Sequence, residues 1–485
     1  MPAGGPRVGH DLTGGPITRT LVMFSLPTLG ANIVTSLNGS INAVWVGRLL
    51  GETALTATAN GNLLLFFLLS AVFGFGMAAT ILVGQNMGRR DIVAARRAIG
   101  TAAGLFMIVG CAIAAVGWIF APQLLRMMDT PPAARLLGIQ YLRILFLGLP
   151  PLYFLIFLTM ALRGAGDART PFFFILLSAA IDVTLNPTLI LGLGGFPRLG
   201  IMGSGWSMFI AQTVSLIAML VYIYVRKLPL RLSGSELRFL KPDPALLRSI
   251  VVKGVPMGLQ MTVVSVSALF MISFVNRYGV ATAAAYGVMA QVWNYIQMPA
   301  MAIGAAVSAM AAQNVGAGLW ERVDRITRSG IIINLVMTGL MVLVILFLEN
   351  HVIRLFLPSD TGAMAVARRI NHVASWGFIL FGITLVIFGT VRATGAVMGP
   401  LAVLFLAMFP ARIGFVLMFR ENMGADAIWW SFPVGSIAAV LLAVLYYRKA
   451  GWRTMRMGGH APDPLEAEDM AHLPAEGAGQ PPQAV

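Results

Sequence analysis

The chain has 485 residues, of which 58% are hydrophobic and 11% are charged, and its mean hydropathy is +0.82. This composition excludes a set of soluble domains and predicts a polytopic membrane protein. The formal charge of +15 comes from basic residues that stand singly or in small clusters between apolar runs. This distribution excludes a nucleic-acid groove and indicates charges that orient membrane helices.

Uncharged apolar runs long enough to cross a membrane recur along the whole chain. A spanning helix needs about 20 mostly apolar residues, because the hydrocarbon layer is about 30 Å thick and each residue rises about 1.5 Å. Twelve runs meet this requirement, and two of them contain one charge each, Asp182 and Arg412. The sequence therefore predicts an all-α polytopic membrane protein with twelve transmembrane helices. The predicted spans are 20–47, 53–84, 98–120, 144–162, 170–194, 199–225, 254–276, 278–312, 329–348, 373–391, 393–420 and 427–447.

The distribution of Lys and Arg predicts the orientation of these helices. The N-terminal segment is polar and contains no apolar run, so we expect no cleavable signal peptide. Of the 34 basic residues, 23 fall in the two terminal segments and in the connections that follow even-numbered spans, and 9 fall in the opposite connections. Because cytoplasmic loops carry the excess of Lys and Arg, both termini should be cytoplasmic.

An internal repeat divides the predicted helices into two sets of six. Residues recur at a shift of 229 or 228, which is hard to produce by chance across six helices. With an even number of helices in each copy, both copies insert the same way up, so two six-helix lobes should be related by a pseudo-two-fold axis along the membrane normal, with a cleft between them. The matching pairs are Pro27 and Pro256, Arg48 and Arg277, Gln85-Asn86-Met87-Gly88 and Gln313-Asn314-Val315-Gly316, and Arg163, Gly166, Pro171 and Arg392, Gly395, Pro400.

The resulting division of the chain has five parts. They are a polar N-terminal tail at 1–16, an N-terminal lobe at 17–225, a cytoplasmic linker at 226–248, a C-terminal lobe at 249–450 and a disordered tail at 451–485.

Asp182 is the predicted chemical centre of the N-terminal lobe. It lies about twelve residues into the fifth span, near the bilayer midplane, where an ionisable side chain costs about 2.5 kcal/mol or more. Asn186, four residues later, shares its face of the helix, and Asn42 on the first helix belongs to a polar edge that includes Asn38. We expect Asp182, Asn186 and Asn42 to form a cation-coupling site that takes up a proton or holds a cation. The alternative is a carboxyl group that only fixes the packing of the first helix.

The C-terminal lobe has no corresponding acid. At a shift of 229, Asp182 becomes Ala411, and Arg412 stands beside it. This lobe instead offers amides, a phenol and flexible methionines, which suit ligands of many shapes. Ordinary packing is the alternative. The predicted substrate-lining residues are Gln260, Gln291, Asn294, Tyr295, Met257, Met261 and Met289.

Several short motifs resemble those of the multidrug and toxic compound extrusion (MATE) family over about residues 17–450. They are NAVWVGRL near the end of the first helix, VGQNMG and AAQNVG at the ends of the second and eighth, and RGAGDARTP leading to LNP on the fifth. The resemblance implies a V-shaped pair of lobes that exports organic cations and other amphipathic drugs in exchange for protons or sodium. The chain is more similar to the DinF-like branch, because Val264 stands where the NorM-like branch carries a Glu.

Two positions depart from the family pattern. Asn42 stands where many members have an acid, and the fifth helix reads Asp182-Val-Thr-Leu-Asn186-Pro187 where the family often has Asn-x-x-x-Asp-Pro. One carboxylate in place of two suits proton exchange better than a tightly held sodium ion.

These observations predict a secondary active multidrug antiporter of the bacterial inner membrane. We expect drug-like small molecules, a coupling cation and the bilayer as its partners, a monomeric state, and no nucleic acid, cofactor, metal site or catalytic residue. No Walker loop is present, so transport should draw on a proton or sodium gradient. The alternative function is a lipid-linked saccharide flippase of the same broad superfamily, which would have a more cationic cavity. A major facilitator transporter and an intramembrane enzyme fit less well, because the charged signature of the former and a second catalytic group for the latter are missing.

Overall fold

A computed structural model describes residues 11–128, 130–354, 356 and 362–457, and these residues are almost entirely helical. The first six long helices are α1 (Ile17–Leu50), α2 (Glu52–Gly88), α3 (Ile92–Met127), α4 (Pro132–Gly164), α5 (Arg169–Leu191) and α6 (Ile201–Val225). The next are α7 (Pro244–Asn276), α8 (Val280–Gly316), α9 (Trp320–Phe347), the short α10 (Glu349–Arg354), α11 (Gly362–Ala374) and α12 (Gly377–Arg392). The last are α13 (Met398–Leu406), a π-helical segment (Ala407–Ile413), α14 (Gly414–Met423) and α15 (Asp426–Arg448).

The number of membrane spans agrees with the prediction of twelve. Among the described residues, eleven spans are each long and apolar enough to cross a bilayer, with Met398–Met423 counted as one. The twelfth is a broken span in which α11 and α12 meet at an angle of 44°. The sequence predicted this span as one run at 373–391, so the first arm was missed. That arm carries Arg368 and Arg369, and these charges kept it out of the apolar run.

The helices pack as two lobes. Helices α1 to α6 pack on one another, chiefly through α4 against α2, α3 and α6 and through α5 against α6. In the other lobe, α8 packs on α9, α11 and α12, and α12 packs on α15. The lobes meet through α1 and α2 on one side and α7 and α8 on the other.

The lobes are in contact at one end of the bundle and separate at the other. Helix α8 is almost completely buried from Ala302 to Asn314, but its first half exposes Val280, Gly287 and Asn294. Helix α2 shows the same gradient, with burial from Met77 to Gln85. We call the end that contains these buried halves the closed end, and the opposite end the open end. The burial of both helices therefore falls from the closed end to the open end, where the sequence analysis expects the cleft.

Two equivalent hydrogen bonds hold the closed end together. The side-chain amide of Gln85 donates to the carbonyl oxygen of Ala393 at 2.7 Å, and that of Gln313 donates to the carbonyl oxygen of Gly164 at 3.0 Å. Both the donors and the acceptors are partners in the sequence repeat. We call this pair of contacts the paired seal.

Glycines next to these glutamines let the two backbones approach. A Cβ atom on Gly88 would lie 1.9 Å from the carbonyl oxygen of Gln313, and one on Gly316 would lie 2.0 Å from that of Gln85. Such distances are far shorter than any non-bonded contact, so only glycine fits at either position. The paired seal therefore depends on both residue types in each repeat.

The two terminal segments also pack on the closed end. Leu12 is 2% exposed, its N–H donates to Gln313 Oε1 at 3.1 Å, and its carbonyl accepts from Asn314 Nδ2 at 3.1 Å. After α15, Trp452 is 1% exposed and its carbonyl accepts from Thr394 Oγ1 at 2.9 Å. The chain is therefore anchored at both ends of its described part.

Two domain boundaries predicted from the sequence differ from those in the structure. A disordered tail was expected from 451, but Gly451–Thr454 form a 3-10 helix and Met457 is buried, so the expectation is wrong for 451–457. The remainder of that tail, and residues 1–10 of the polar N-terminal tail, lie outside the described residues. The linker expected at 226–248 ends earlier, because Asp243 caps α7 and the helix begins at Pro244. The other domain boundaries stay predictions.

Candidate cation site

Asp182 is enclosed by three helices of the N-terminal lobe. It is 2% exposed and Asn186 is fully buried. The two side chains lie on one face of α5 because they are four residues apart, and this face packs against α1 and α6. The predicted acid is thus inside the lobe and does not face lipid.

Three neutral side chains donate hydrogen bonds to the carboxylate. Asn38 Nδ2 and Asn42 Nδ2, both on α1, lie 2.9 and 2.6 Å from Asp182 Oδ2. Ser207 Oγ on α6 lies 2.6 Å from Asp182 Oδ1. The donors stabilise the ionised form of a group that would otherwise be costly to bury.

Asn186 extends this network to a second layer. Its side-chain amide donates to Asn42 Oδ1 at 2.8 Å and to Ser204 Oγ at 3.2 Å. Two buried carbonyl oxygens, Asn38 Oδ1 and Asn186 Oδ1, have no hydrogen-bond partner within the described part of the chain. Buried polar atoms are normally paired. Their unused lone pairs, beside a carboxylate, form the oxygen-rich environment that a cation or a proton requires.

An ionised Asp182 would leave the site with one uncompensated negative charge. Among the residues that the structure describes, no Lys, Arg or His nitrogen lies within 4 Å of Asp182. Neutral hydrogen-bond donors reduce the free energy required to bury a carboxylate, but they do not neutralise its charge. One proton or one monovalent cation would make the site neutral.

The structure brings together all three residues predicted for this site, Asp182, Asn186 and Asn42. The sequence analysis missed Ser204 and Ser207, which supply two of the contacts. Serine is common in membrane helices, so a single one carries little information. The signal that could have found them is their spacing of three residues beside Gly203 and Gly205, which puts two hydroxyl groups on a narrow, closely packed face of α6.

The predicted substrate-lining residues fall into two groups. Asn294 is exposed, and Gln291 and Tyr295 are half-buried, in the half of α8 that lies towards the open end. Met261 is also half-buried. The other three are buried in the C-terminal lobe: Met257, Met289 and Gln260, whose amide donates to the carbonyl oxygen of Val397 at 3.3 Å. Only the first group lies where a ligand in the cleft could reach it in this conformation, and the substrate role of both groups stays a prediction.

Arg412 occupies the interior of the C-terminal lobe. It is 8% exposed, and its guanidinium carbon lies 3.7 Å from the centre of the Phe432 ring. Among the described residues, its one hydrogen-bond acceptor is the sulfur of Met408 at 3.8 Å, and its Nε has no partner there. The two lobes therefore enclose charges of opposite sign.

Comparison with known proteins identifies the family. The MatE family model matches the chain twice, at residues 27–188 and 256–418. The two matches begin 229 residues apart, which confirms the internal repeat. Likeness to solved structures agrees: an outward-facing multidrug resistance MATE family transporter superposes with a TM-score of 0.84 at 19% identity, over 92% of this chain and 98% of that one.

Relatives in Bacillus subtilis strain 168 cover nearly the whole chain. The probable multidrug resistance protein YoeA is 34% identical over 91% of this chain and 96% of its own length. The probable multidrug resistance protein YpnP is 30% identical over 92% of this chain and 98% of its own length. The repeat, the two-lobe fold and these similarities lead to one conclusion: the chain belongs to the MATE family of multidrug efflux transporters.

Proposed function

We propose that the protein is a secondary active antiporter of the cell inner membrane that exports organic cations or amphipathic compounds in exchange for protons or sodium ions. The observation that carries the proposal is the buried Asp182 carboxylate, 2% exposed and contacted by neutral donors alone. A lone acid at this depth is retained at a cost of several kcal/mol, which a coupling role explains. The family's small-molecule export then supplies the cargo.

The contacts of α1 suggest how cation binding is coupled to the cleft. Helix α1 carries two of the donors to Asp182, and it also packs on α8 and α9 of the other lobe. A cation on the carboxylate would compete with the amide groups of Asn38 and Asn42, because both present N–H groups to the same oxygen atom. Release of those hydrogen bonds would free α1 to shift against the C-terminal lobe.

The excess of Lys and Arg at the closed end supports a cytoplasmic placement of that end and of both termini. The conformation described above then faces outward, and rocking of the lobes that breaks the paired seal and closes the open end would give alternating access. One charge moved across 100 mV is worth about 2.3 kcal/mol. That energy sustains a cargo gradient of roughly fiftyfold at a ratio of one to one.

The test is dye efflux in inverted vesicles, driven in turn by a proton gradient and by a sodium gradient. We expect one of the two gradients to drive accumulation of the dye inside wild-type vesicles. Asp182→Asn should lose this gradient-driven accumulation, because the amide cannot bind and release a cation. Thr184→Ala is the matched control, since Thr184 is an exposed residue of the same helix that bonds only to its own backbone.

Equal transport by Asp182→Asn under both gradients would refute the coupling role. Failure of both gradients to move any organic cation would refute the multidrug function and favour the flippase.

A further inference from the structure

We propose that Arg412 binds the anionic end of transported compounds, so that the C-terminal lobe accepts amphipathic substrates that carry a carboxylate. This inference rests on the proposed export function, and it names a class of substrate. The observation behind it is a guanidinium that is nine-tenths buried and has no anionic partner.

The guanidinium has one covered face and an unused edge. Phe432 lies 3.7 Å from the guanidinium carbon, a distance typical of a cation–π contact. Such stacking leaves the N–H groups in the guanidinium plane free. Within the described residues, the only hydrogen-bond acceptor of these groups is Met408 Sδ, at 3.8 Å, and sulfur is a weak acceptor.

Three other arginines of the chain find oxygen acceptors. Arg453 pairs with Asp324 at 2.8 Å, and Arg96 pairs with Glu236 at 2.7 Å. Arg392, near the closed end, donates to the carbonyl oxygen of Phe388 at 3.0 Å. Arg412 differs from these three in its burial, since it is 8% exposed, and no carboxylate of the described residues lies within 4 Å of it. An unpaired buried charge is strongly unfavourable unless another component supplies the counter-charge.

The backbone around Arg412 is irregular in a way that fits a binding site. Ala407–Ile413 form a π-helical segment that contains Pro410. Such segments are rare and occur frequently at functional sites, because the wider turn re-aims side chains. Gly435 of α15 faces the arginine, and a Cβ atom there would lie 3.2 Å from Arg412 Cβ. The absence of a side chain at Gly435 leaves the space that the aliphatic part of the Arg412 side chain occupies.

Aromatic rings next to Arg412 would accommodate the apolar body of a ligand. The Phe432 ring centre lies 4.6 Å from that of Trp293 and 6.4 Å from that of Tyr286. A carboxylate fits the planar fork of an arginine with two parallel hydrogen bonds. The combination of a guanidinium and aromatic rings matches an aromatic carboxylate.

The position of Arg412 relates it to Asp182. Arg412 lies 12 residues after Pro400, and Asp182 lies 11 residues after the repeat-related Pro171. At about 1.5 Å per residue, both are roughly 16 to 18 Å along the helix from these prolines. Among the described residues, each lobe therefore has one buried acidic or basic side chain at a similar depth, the cation partner in one and the anion partner in the other.

The experiment compares two dyes that differ in one ester group. Rhodamine 110 has a free carboxylate, and rhodamine 123 is its methyl ester. Binding of each dye to the purified full-length protein is measured by fluorescence polarisation, without an ion gradient, for wild type, Arg412→Met and Arg412→Lys. Arg143→Met is the control, because Arg143 is another membrane arginine, placed 5.7 Å from the Trp118 ring.

We expect Arg412→Met to weaken binding of the carboxylate dye by about tenfold or more, with at most a twofold effect on the ester. Arg412→Lys should restore part of the loss, and Arg143→Met should change neither dye. Equal weakening of both dyes, or unchanged binding of the carboxylate dye, overturns the assignment.

A measurement on wild type covers the case in which Arg412→Met does not fold. Benzoate should displace the carboxylate dye, whereas benzyl alcohol, which has the same ring without the charge, should not. Displacement by both compounds alike, or by neither, contradicts an anion site.

These results are distinguishable from failure of the proposed export function. If the carboxylate dye binds through Arg412 but no gradient moves it, the export function fails and the anion site stands. If a gradient drives export of the ester dye while substitution of Arg412 leaves binding of the carboxylate dye unchanged, the anion site fails and the export function stands.

Discussion

The two repeats carry opposite ionisable side chains, Asp182 and Arg412, at nearly corresponding positions. At the motif positions of the closed end they keep the same residues, including the glutamines and glycines. At the middle of the membrane, one copy has an acid held by three neutral donors, and the other has a base against an aromatic ring. The duplicated framework therefore supports unlike chemistry in its two halves.

Ser207 offers a test of how the donors tune Asp182. Its hydroxyl group lies 2.6 Å from Asp182 Oδ1 and stabilises the ionised carboxylate. Ser207→Ala removes that stabilisation, so the ionised form rises in free energy and a cation should bind more tightly. A hydrogen bond to a charged group is worth about 1.5 to 3 kcal/mol, so we expect the half-saturating cation concentration to fall about tenfold or more.

Tryptophan fluorescence during a titration with protons or sodium measures this change, because Trp206 is next to Ser207 in the chain. Ser207→Thr keeps the hydroxyl group and should behave more like wild type. An affinity that falls in Ser207→Ala would show that the hydroxyl group contacts the bound cation instead.

The sequence predicts part of this site well, for a physical reason. Asp182, Asn42 and Asn186 stand out because charged and amide groups are costly in lipid, so each one in an apolar helix carries information. Ser204 and Ser207 do not, since a hydroxyl group can bond to its own helix backbone, as Thr184 does. The sequence also does not specify which buried amides of the C-terminal lobe face the cleft, because that depends on how the lobes are rotated.

At the scale of helices, the length of each apolar run predicts the membrane spans. The exceptions are helices in which charged residues or an irregular backbone interrupt the apolar pattern. The broken span of α11 and α12 contains charges in its first arm, and the π-helical segment interrupts an apolar run where Pro410 and Arg412 stand. Trp452, in a short and polar stretch, is buried by contacts with residues far away in sequence. No local pattern could indicate that contact.

Asp243 fixes the start of α7 and gives a second test. Its carboxylate accepts from the N–H groups of Ala245 and Leu246 at 2.9 and 3.3 Å and also pairs with Arg97. The Leu246 hydrogen bond is the main reason that the pKa of Asp243 is below its ordinary value, and partial desolvation opposes it. We expect Asp243→Ala to destabilise the protein by about 1 kcal/mol.

The pH dependence of this effect follows from the direction of the pKa shift. A lowered folded-state pKa means that the contribution is fully present above the ordinary carboxyl pKa of about 3.9 and is lost as pH falls through the lower value. The difference in thermal unfolding between wild type and Asp243→Ala should therefore be constant from about pH 8 to pH 5 and shrink only below about pH 4. Asp243→Asn, which keeps a capping oxygen, should cost less. A difference that disappears already at neutral pH would contradict the capping role.

At the scale of the whole molecule, the paired seal controls which conformation is populated. The side-chain amide of each glutamine donates one hydrogen bond across the lobes in the closed-end state, and Gln313 Oε1 also accepts one from the N–H of Leu12. Gln85→Ala and Gln313→Ala should each cost that state about 1 kcal/mol or more, and the double variant should lose about the sum.

The readout is labelling by a water-soluble maleimide of Ala168→Cys, a position 4% exposed beside Leu12, in a Cys111→Ala background. Each single variant should raise the labelling rate about fivefold and the double variant about 25-fold if opening precedes labelling. Rates that stay at the wild-type value in the double variant would mean that the terminal segments, and not the glutamines, keep this end shut.

The reciprocity of these contacts also has an evolutionary consequence. In a symmetric dimer of identical subunits, a residue of the first subunit contacts a different residue of the second. The same two residues also make this contact with the subunits exchanged, so every contact occurs twice. Gln85 with Ala393, and Gln313 with Gly164, have this arrangement within a single polypeptide. A homodimeric ancestor of six-helix subunits could have made both contacts from one glutamine and one small residue. Fusion of two gene copies would then have freed the membrane interior to diverge, while any change at this interface would still have had to suit both halves.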